Sequence, residues 1–240
     1  MNDAWGKVPK FIRFAIDHNN SSDWESIVTL IMTRFCLFQI GELSLSPLSM
    51  SAPDFSNCLA SFKAHNSKGI CFHVKVVPKD DFDSQNLPAI IGRYPELCVS
   101  RFLLVPNIVE VISNECGLRL GYVHLTTWEE KGADMAVSVT RLWFDGKKSE
   151  VFELLRNFGQ FVGNFHAAFP KVMHNDLNPQ NVLVMNSEDS AGFVLIDCAG
   201  IDDEVGDDVK NFVSCLEVME LGPYFLELGT QSFLEGYYSI

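Results

Sequence analysis

An α+β fold is what this sequence predicts, and three observations predict it. Short runs rich in β-branched residues crowd the stretch 38–126. Helical spacing of apolar residues then takes over, at Val151, Leu154, Leu155, Phe158, Phe161, Val162 and Phe165, and again from Asp208 onward. Inside that helical half lie two more apolar runs, 182–185 and 193–196, flanking a polar stretch that reads as the loop of a hairpin. With 240 residues the chain can bury a substantial core, as one large domain or as two small lobes.

Composition narrows the class of function. Hydrophobic residues make up 47% of the chain and its charge content is ordinary, as in a globular protein. No apolar run reaches the length of a membrane span, and the start lacks a basic region followed by an apolar one, so a cytoplasmic protein is expected. The seven cysteines are scattered without a C-x-x-C pair, which fits reduced thiols better than a disulfide framework or a zinc site. A net charge of −13 argues against nucleic acid or an anionic membrane as the main partner. Any nucleotide site must therefore gather its cations locally.

Taken in order, Ser22 and Glu25 form a capping box for a helix with Trp24, Ile27, Val28, Ile31 and Phe35 on one face, expected to pack as an extension. Strands follow at 38–43, 58–62 and 70–77. The last of these places Lys75 among valines, where its ammonium must meet an anion or reach back to water. Pro95 suits a first helical turn and precedes Glu96, the only glutamate between Val76 and Val109. Strands return at 108–112 and 120–126, and a polar link covers 126–134. Ser149 can cap the long helix over 149–169, where His166 reads as a charge partner for the helix end. Either Asp207 or Asp208 can cap the next helix, and the chain closes on Phe233-Leu234-Glu235-Gly236-Tyr237.

The chain is organised around 173–200. Asp176, Asn181 and Asp197 are hard oxygen or amide ligands with no soft sulfur among them, a set that suits magnesium and phosphate. Asn181 stands at the start of one hairpin strand and Asp197 just past the end of its partner, so both are delivered to the same end. The bland alternative is a surface hairpin in which Asp176 and Asn178 cap a turn.

This arrangement resembles the protein-kinase-like fold, in which H-x-D-x-x-x-x-N is matched by His174, Asp176 and Asn181, and the metal aspartate of a D-x-x-G turn by Asp197 with Gly200. The terminal F-L-x-G-Y is similar to the close of aminoglycoside-phosphotransferase-like and lipopolysaccharide-kinase-like atypical kinases. The resemblance implies a two-lobed fold, with a small antiparallel-sheet N-lobe at 38–125 and a reduced, mainly helical C-lobe at 126–240. Together these make a single kinase-like domain, 38–240, behind a helical extension at 1–37. It further implies ATP and Mg²⁺, with Asp176 accepting the proton of an acceptor hydroxyl and Asn181 and Asp197 holding the metal. Lys75 would bridge the α- and β-phosphates and a helix carboxylate, for which Glu96 is nominated and Asp81 or Asp83 are substitutes. By the same resemblance His174 packs behind the aspartate, Asp208 holds the loop backbone unless it is a plain cap, and 126–134 is the interlobe hinge.

The sequence departs from the family pattern in four places. There is no G-x-G-x-x-G, only Gly41, in a region broken by Pro47 and Pro53. Ten residues separate Asp197 from Asp208, too few for an activation loop or a peptide platform. Asn175 stands where an arginine precedes the aspartate, and Asn178 where conventional kinases carry a lysine for the γ-phosphate. The expected function is thus an atypical protein kinase without activation loop. A small-molecule kinase of the aminoglycoside-phosphotransferase or lipopolysaccharide-kinase type is one alternative, and an inactive pseudokinase binding module the other. The acceptor is a hydroxyl on a protein or a small molecule.

Overall fold

Alternating burial along the strands builds the first half of the molecule. The computed structural model describes residues 11–17, 24–34, 43–47, 58–66, 71–127, 132–186, 191–197, 201 and 207–240. They divide into two units, Met1–Val99 with Val105–Glu129, and Ser100–Leu104 with Glu130–Ile240.

Unit one is a six-stranded sheet in the order β1-β5-β6-β4-β3-β2, with strands β1 (Phe11–Ile16), β2 (Leu43–Pro47), β3 (Ala60–Asn66), β4 (Cys71–Pro78), β5 (Asn107–Ser113) and β6 (Arg119–Thr127). In β4, Phe72, Val74 and Val76 are buried, while Cys71, His73 and Lys75 point to the half-buried opposite face. The buried row joins Phe62, Val109, Val123 and Leu125 in a core closed by Ile27, Val28, Ile31 and Met32 of α1 (Trp24–Arg34). That is the helix face read from the sequence, with Met32 added; Ser22, Phe35 and residues 38–42 of the strand expected at 38–43 lie outside the described residues, and Leu43 begins β2.

The extension at 1–37 is not wholly helical. β1 pairs in parallel with β5, Phe11 opposite Ile108 through Ile16 opposite Ser113, and every other pairing in the sheet is antiparallel. Its FIRFAI alternation turns Ile12, Phe14 and Ile16 toward the core. On the other face Glu110 receives Arg13 Nε at 2.8 Å and Arg119 Nε at 2.6 Å. A second difference concerns 82–99. An α-helix, α2 (Phe82–Arg93), precedes a 3₁₀ turn at Pro95–Val99, and the Asp81 carboxylate caps it by accepting from Ser84 N at 2.8 Å. Pro88 withholds only the N–H that would have reached Ser84. Burial of Leu87, Ile90 and Ile91 offsets that loss.

Unit two rests on α3 (Met135–Phe144), α4 (Lys148–Ala168), α5 (Asp208–Val218) and α6 (Pro223–Tyr237), with a three-stranded sheet of β7 (Gly132–Asp134), β8 (Val182–Asn186) and β9 (Ala191–Leu195). Phe158, Phe212 and Phe233 form its aromatic centre, with ring centroids 4.6 to 5.9 Å apart. α4 and α6 approach so closely that a Cβ on Gly159 would overlap the Phe233 carbonyl, and one on Gly236 the Arg156 carbonyl. The closing F-L-E-G-Y now has a physical account: Phe233 fills the core, Gly236 permits the approach, and Tyr237 Oη lies 3.0 Å from His166 Nδ1. Among the described residues no helix is long and apolar enough to cross a membrane.

Candidate active site

The loop between α4 and β8 is held from beneath by one carboxylate. Asp208, with its side chain fully buried, accepts the backbone N–H of His174 and of Asn175, each at 2.8 Å, and His166 Nε2–H at 3.1 Å. Asp207, not Asp208, caps α5, by accepting from Lys210 N at 2.9 Å. Burial alone would raise the Asp208 carboxyl, but the bond from His166, the His174 N–H and charge, and the Asn175 N–H outweigh it and hold it below the usual carboxylate range. His174 is buried and donates Nε2–H to the Ile196 carbonyl at 3.0 Å, which ties the loop to the strand end.

The loop then turns through Asn175, whose φ of 61° lies in the left-handed region that asparagine tolerates better than most residues. Its carbonyl accepts from Asn211 Nδ2 at 3.3 Å. Asp176 follows and is exposed. Asn178 Nδ2 donates to Asp176 Oδ1 at 3.1 Å, and Asn181 Nδ2 to Asp176 Oδ2 at 2.7 Å. Each carboxylate oxygen thus takes one amide N–H and keeps a lone pair for a further donor. On α5, burial pushes the Cys215 thiol up and the Asp176 charge adds to the effect.

Asn181 ends the 3₁₀ turn Pro179–Asn181 and leads directly into β8. The hairpin register sets Val182 opposite Leu195, and one step further Ile196 N–H donates to the Asn181 carbonyl at 2.9 Å. Asp197 comes next, at φ 54°. Asn181 and Asp197 therefore leave the hairpin at the same end, while Gly200 lies outside the described residues. The donor set can be tested against magnesium on Asn181. Both partners of its Nδ2, the Asp176 carbonyl at 3.0 Å and the carboxylate at 2.7 Å, are acceptors, so the amide must present its NH₂ to them. Its Oδ1 remains, and an amide oxygen beside an aspartate is the kind of ligand a hard cation takes. The residues fit the metal.

Lys75 lies on β4 opposite Ser61 of β3 and His124 of β6. Glu96 is exposed in the 3₁₀ turn, not on α2, and Asp81 is engaged as the α2 cap. Of the covering-loop region, Pro47 ends β2, while Gly41 and Pro53 are outside the described residues. Asn178 caps the turn as its residue type suggested, and its bond to the Asp176 carboxylate was not foreseen; Asn211 and the His166–Tyr237 pair were missed altogether.

No protein-family model matches the chain, and no curated protein matches it. Solved structures do. WaaP in complex with acyl carrier protein aligns with a TM-score of 0.53 at 13% identity, over 82% of this chain and 80% of that one. The microcompartment-associated aminopropanol kinase aligns with a TM-score of 0.52 at 14% identity, over 88% and 80%. The fold is the protein-kinase-like one, α+β in two lobes.

Proposed function

We propose that the chain is an ATP-dependent phosphotransferase that moves the γ-phosphoryl group to an acceptor hydroxyl. The observation that supports it most is the state of Asp176, an exposed carboxylate gripped at both oxygens on a loop whose backbone is pinned by a buried aspartate. In this reading the acceptor O–H donates to Asp176, which takes its proton late as the oxygen bonds to phosphorus and the bond to ADP breaks. Because the transition state is loose, Asp176 has mainly to orient the alcohol. Asn181 through Oδ1 and Asp197 through its carboxylate would hold magnesium, whose chemistry is to offset charge on the phosphate oxygens. Lys75 takes the α- and β-phosphates, with Glu96 as its nominated carboxylate.

For the acceptor, a folded protein met without a peptide groove is the first reading, since only ten residues lie between Asp197 and Asp208. A small alcohol is the second, favoured by the match to an aminopropanol kinase over most of both chains. The two separate in one assay. Purified protein, Mg²⁺ and γ-labelled ATP are offered to a protein lysate and, in parallel, to amino alcohols, choline, aminoglycosides and sugars. Label should appear in one arm and vanish in Asp197→Ala; label that survives this substitution rules out the mechanism. Thermal stabilisation by nucleotide with no transfer in any arm supports a binding module instead.

A further inference from the structure

Asn178 uses both ends of its side chain within the loop. Its Oδ1 accepts from Gln180 N at 2.9 Å and Asn181 N at 3.2 Å, which seats the 3₁₀ turn that carries Asn181. Its Nδ2 donates to the Asp176 carbonyl at 3.2 Å and to Asp176 Oδ1 at 3.1 Å. Asn181 meets the same two groups from the other side. A single carboxamide thus sets the position of the exposed carboxylate and the start of the turn that delivers the amide ligand.

No other side chain of this size does both tasks. Aspartate keeps the acceptor that caps the turn but loses the donor, and it sets a like charge beside Asp176. Serine can accept from the turn but lacks a carboxamide to reach Oδ1. Lysine has donors and no acceptor, so the turn would lose its cap. With Nδ2 engaged by Asp176, the side chain here orients a neighbour where the resemblance would have put a cation for the γ-phosphate.

We infer that Asn178 is a positioning residue for phosphoryl transfer, coupling the orientation of Asp176 to the seating of Asn181; the role rests on the function proposed above. Its side-chain bonds go to Asp176 and to the turn, so it acts through Asp176. Removing the donor alone should let the carboxylate swing, and small misplacements of a reacting group cost on the order of 10²-fold in rate.

The test compares Asn178→Ser, which keeps a cap acceptor, with Asn178→Ala, which keeps neither function. Steady-state transfer to the best acceptor of the panel is measured beside thermal unfolding. Asn178→Ser is expected to lower kcat by about 10- to 100-fold, with KM for ATP within about twofold of wild type and an unchanged unfolding midpoint. Asn178→Ala should lose the same rate and stability besides. A Ser variant with wild-type kcat overturns the role, and so does a kcat loss that only follows a lowered midpoint. Exchange of the Asn178 carboxamide protons, followed by NMR, reports the clamp without any turnover. They should be protected in wild type and exchange faster in Asp176→Ala, where only the bond to the backbone carbonyl remains, and free exchange in wild type overturns the proposal. Protected protons in a protein that transfers phosphate to no acceptor would instead bring down the phosphotransferase reading, and the positioning role with it, while the clamp stood.

Discussion

Replacing Asp208 by asparagine tests how the loop is held. The substitution is nearly isosteric with the protonated acid, yet it turns one acceptor oxygen into an NH₂ group. Two backbone N–H groups, of His174 and Asn175, and the His166 ring now point at the carboxylate. In Asp208→Asn at least one of these donors faces another donor in a site closed to water. A buried donor left unsatisfied costs about 1–3 kcal/mol, and a charge-assisted bond is worth about 1.5–3 kcal/mol. A loss of about 2–4 kcal/mol at neutral pH is therefore expected, and about 3–5 kcal/mol for Asp208→Ala, which abandons every donor. The pH dependence has a definite sign. The folded carboxyl lies below its unfolded value, so its contribution is full above about pH 4 and fades as pH falls through the folded value. Wild type and Asp208→Asn should then converge in acid. Urea unfolding by circular dichroism at several pH values, with amide exchange at His174 and Asn175, measures both effects. A neutral-pH loss under about 1 kcal/mol, or a difference that stays constant into acid, would refute the reasoning.

Other expectations are simpler. Gly159→Ala should lower stability by about 1–3 kcal/mol or more, because the added methyl overlaps the Phe233 carbonyl and backbone cannot move aside cheaply. Gly92→Ala, in the last turn of α2 with nothing within 4 Å of the new carbon, should raise it by about 0.5–1 kcal/mol, and differential scanning of the two variants reads the contrast. Burial would raise the Glu110 carboxyl, but bonds from Arg13 and Arg119 outweigh it and hold it below the usual range. Its contribution is thus lost as pH falls through that folded value. With Arg13 66% exposed, Glu110→Gln should cost no more than about 1 kcal/mol at neutral pH, and less as salt rises.

How much of the fold could be read beforehand depended on where each element's signal sits. α4 was expected at 149–169 and runs from Lys148 to Ala168, because its buried positions recur at helical spacing within one segment. The strand expected at 70–77 is Cys71–Pro78 for the same local reason. β1 escaped notice because its signal is shared with a distant partner: Arg13 meets Glu110 ninety-seven residues further on, and six residues alone do not announce a parallel edge. α2 was hidden by Pro88, which reads as a break until Leu87, Ile90 and Ile91 are seen to be buried. The α4–α6 seam was hidden by Gly159 and Gly236, which look like weak points in a helix until a second backbone is found lying against them.

The site divides along the same line. Spacing identified His174, Asp176 and Asn181 as one loop, and the hairpin carried Asn181 and Asp197 to one end, because both are properties of thirty contiguous residues or fewer. What holds the loop is not contiguous: the resemblance pointed to Asp208 for this role, and nothing in the sequence pointed to Asn211. Asp208 reaches back thirty-four residues to the His174 amide, and Asn211 thirty-six to the Asn175 carbonyl. Asparagines in a loop signal turns and nothing more specific. Asn178 does more because a carboxamide carries a donor and an acceptor on one short rigid group, so it links the turn backbone to Asp176 at once. A charged side chain at Asn178 would supply only one of these functions. That a cation is missing at this position is evident from the residue type alone; that the amide in its place is engaged by Asp176 follows only from geometry.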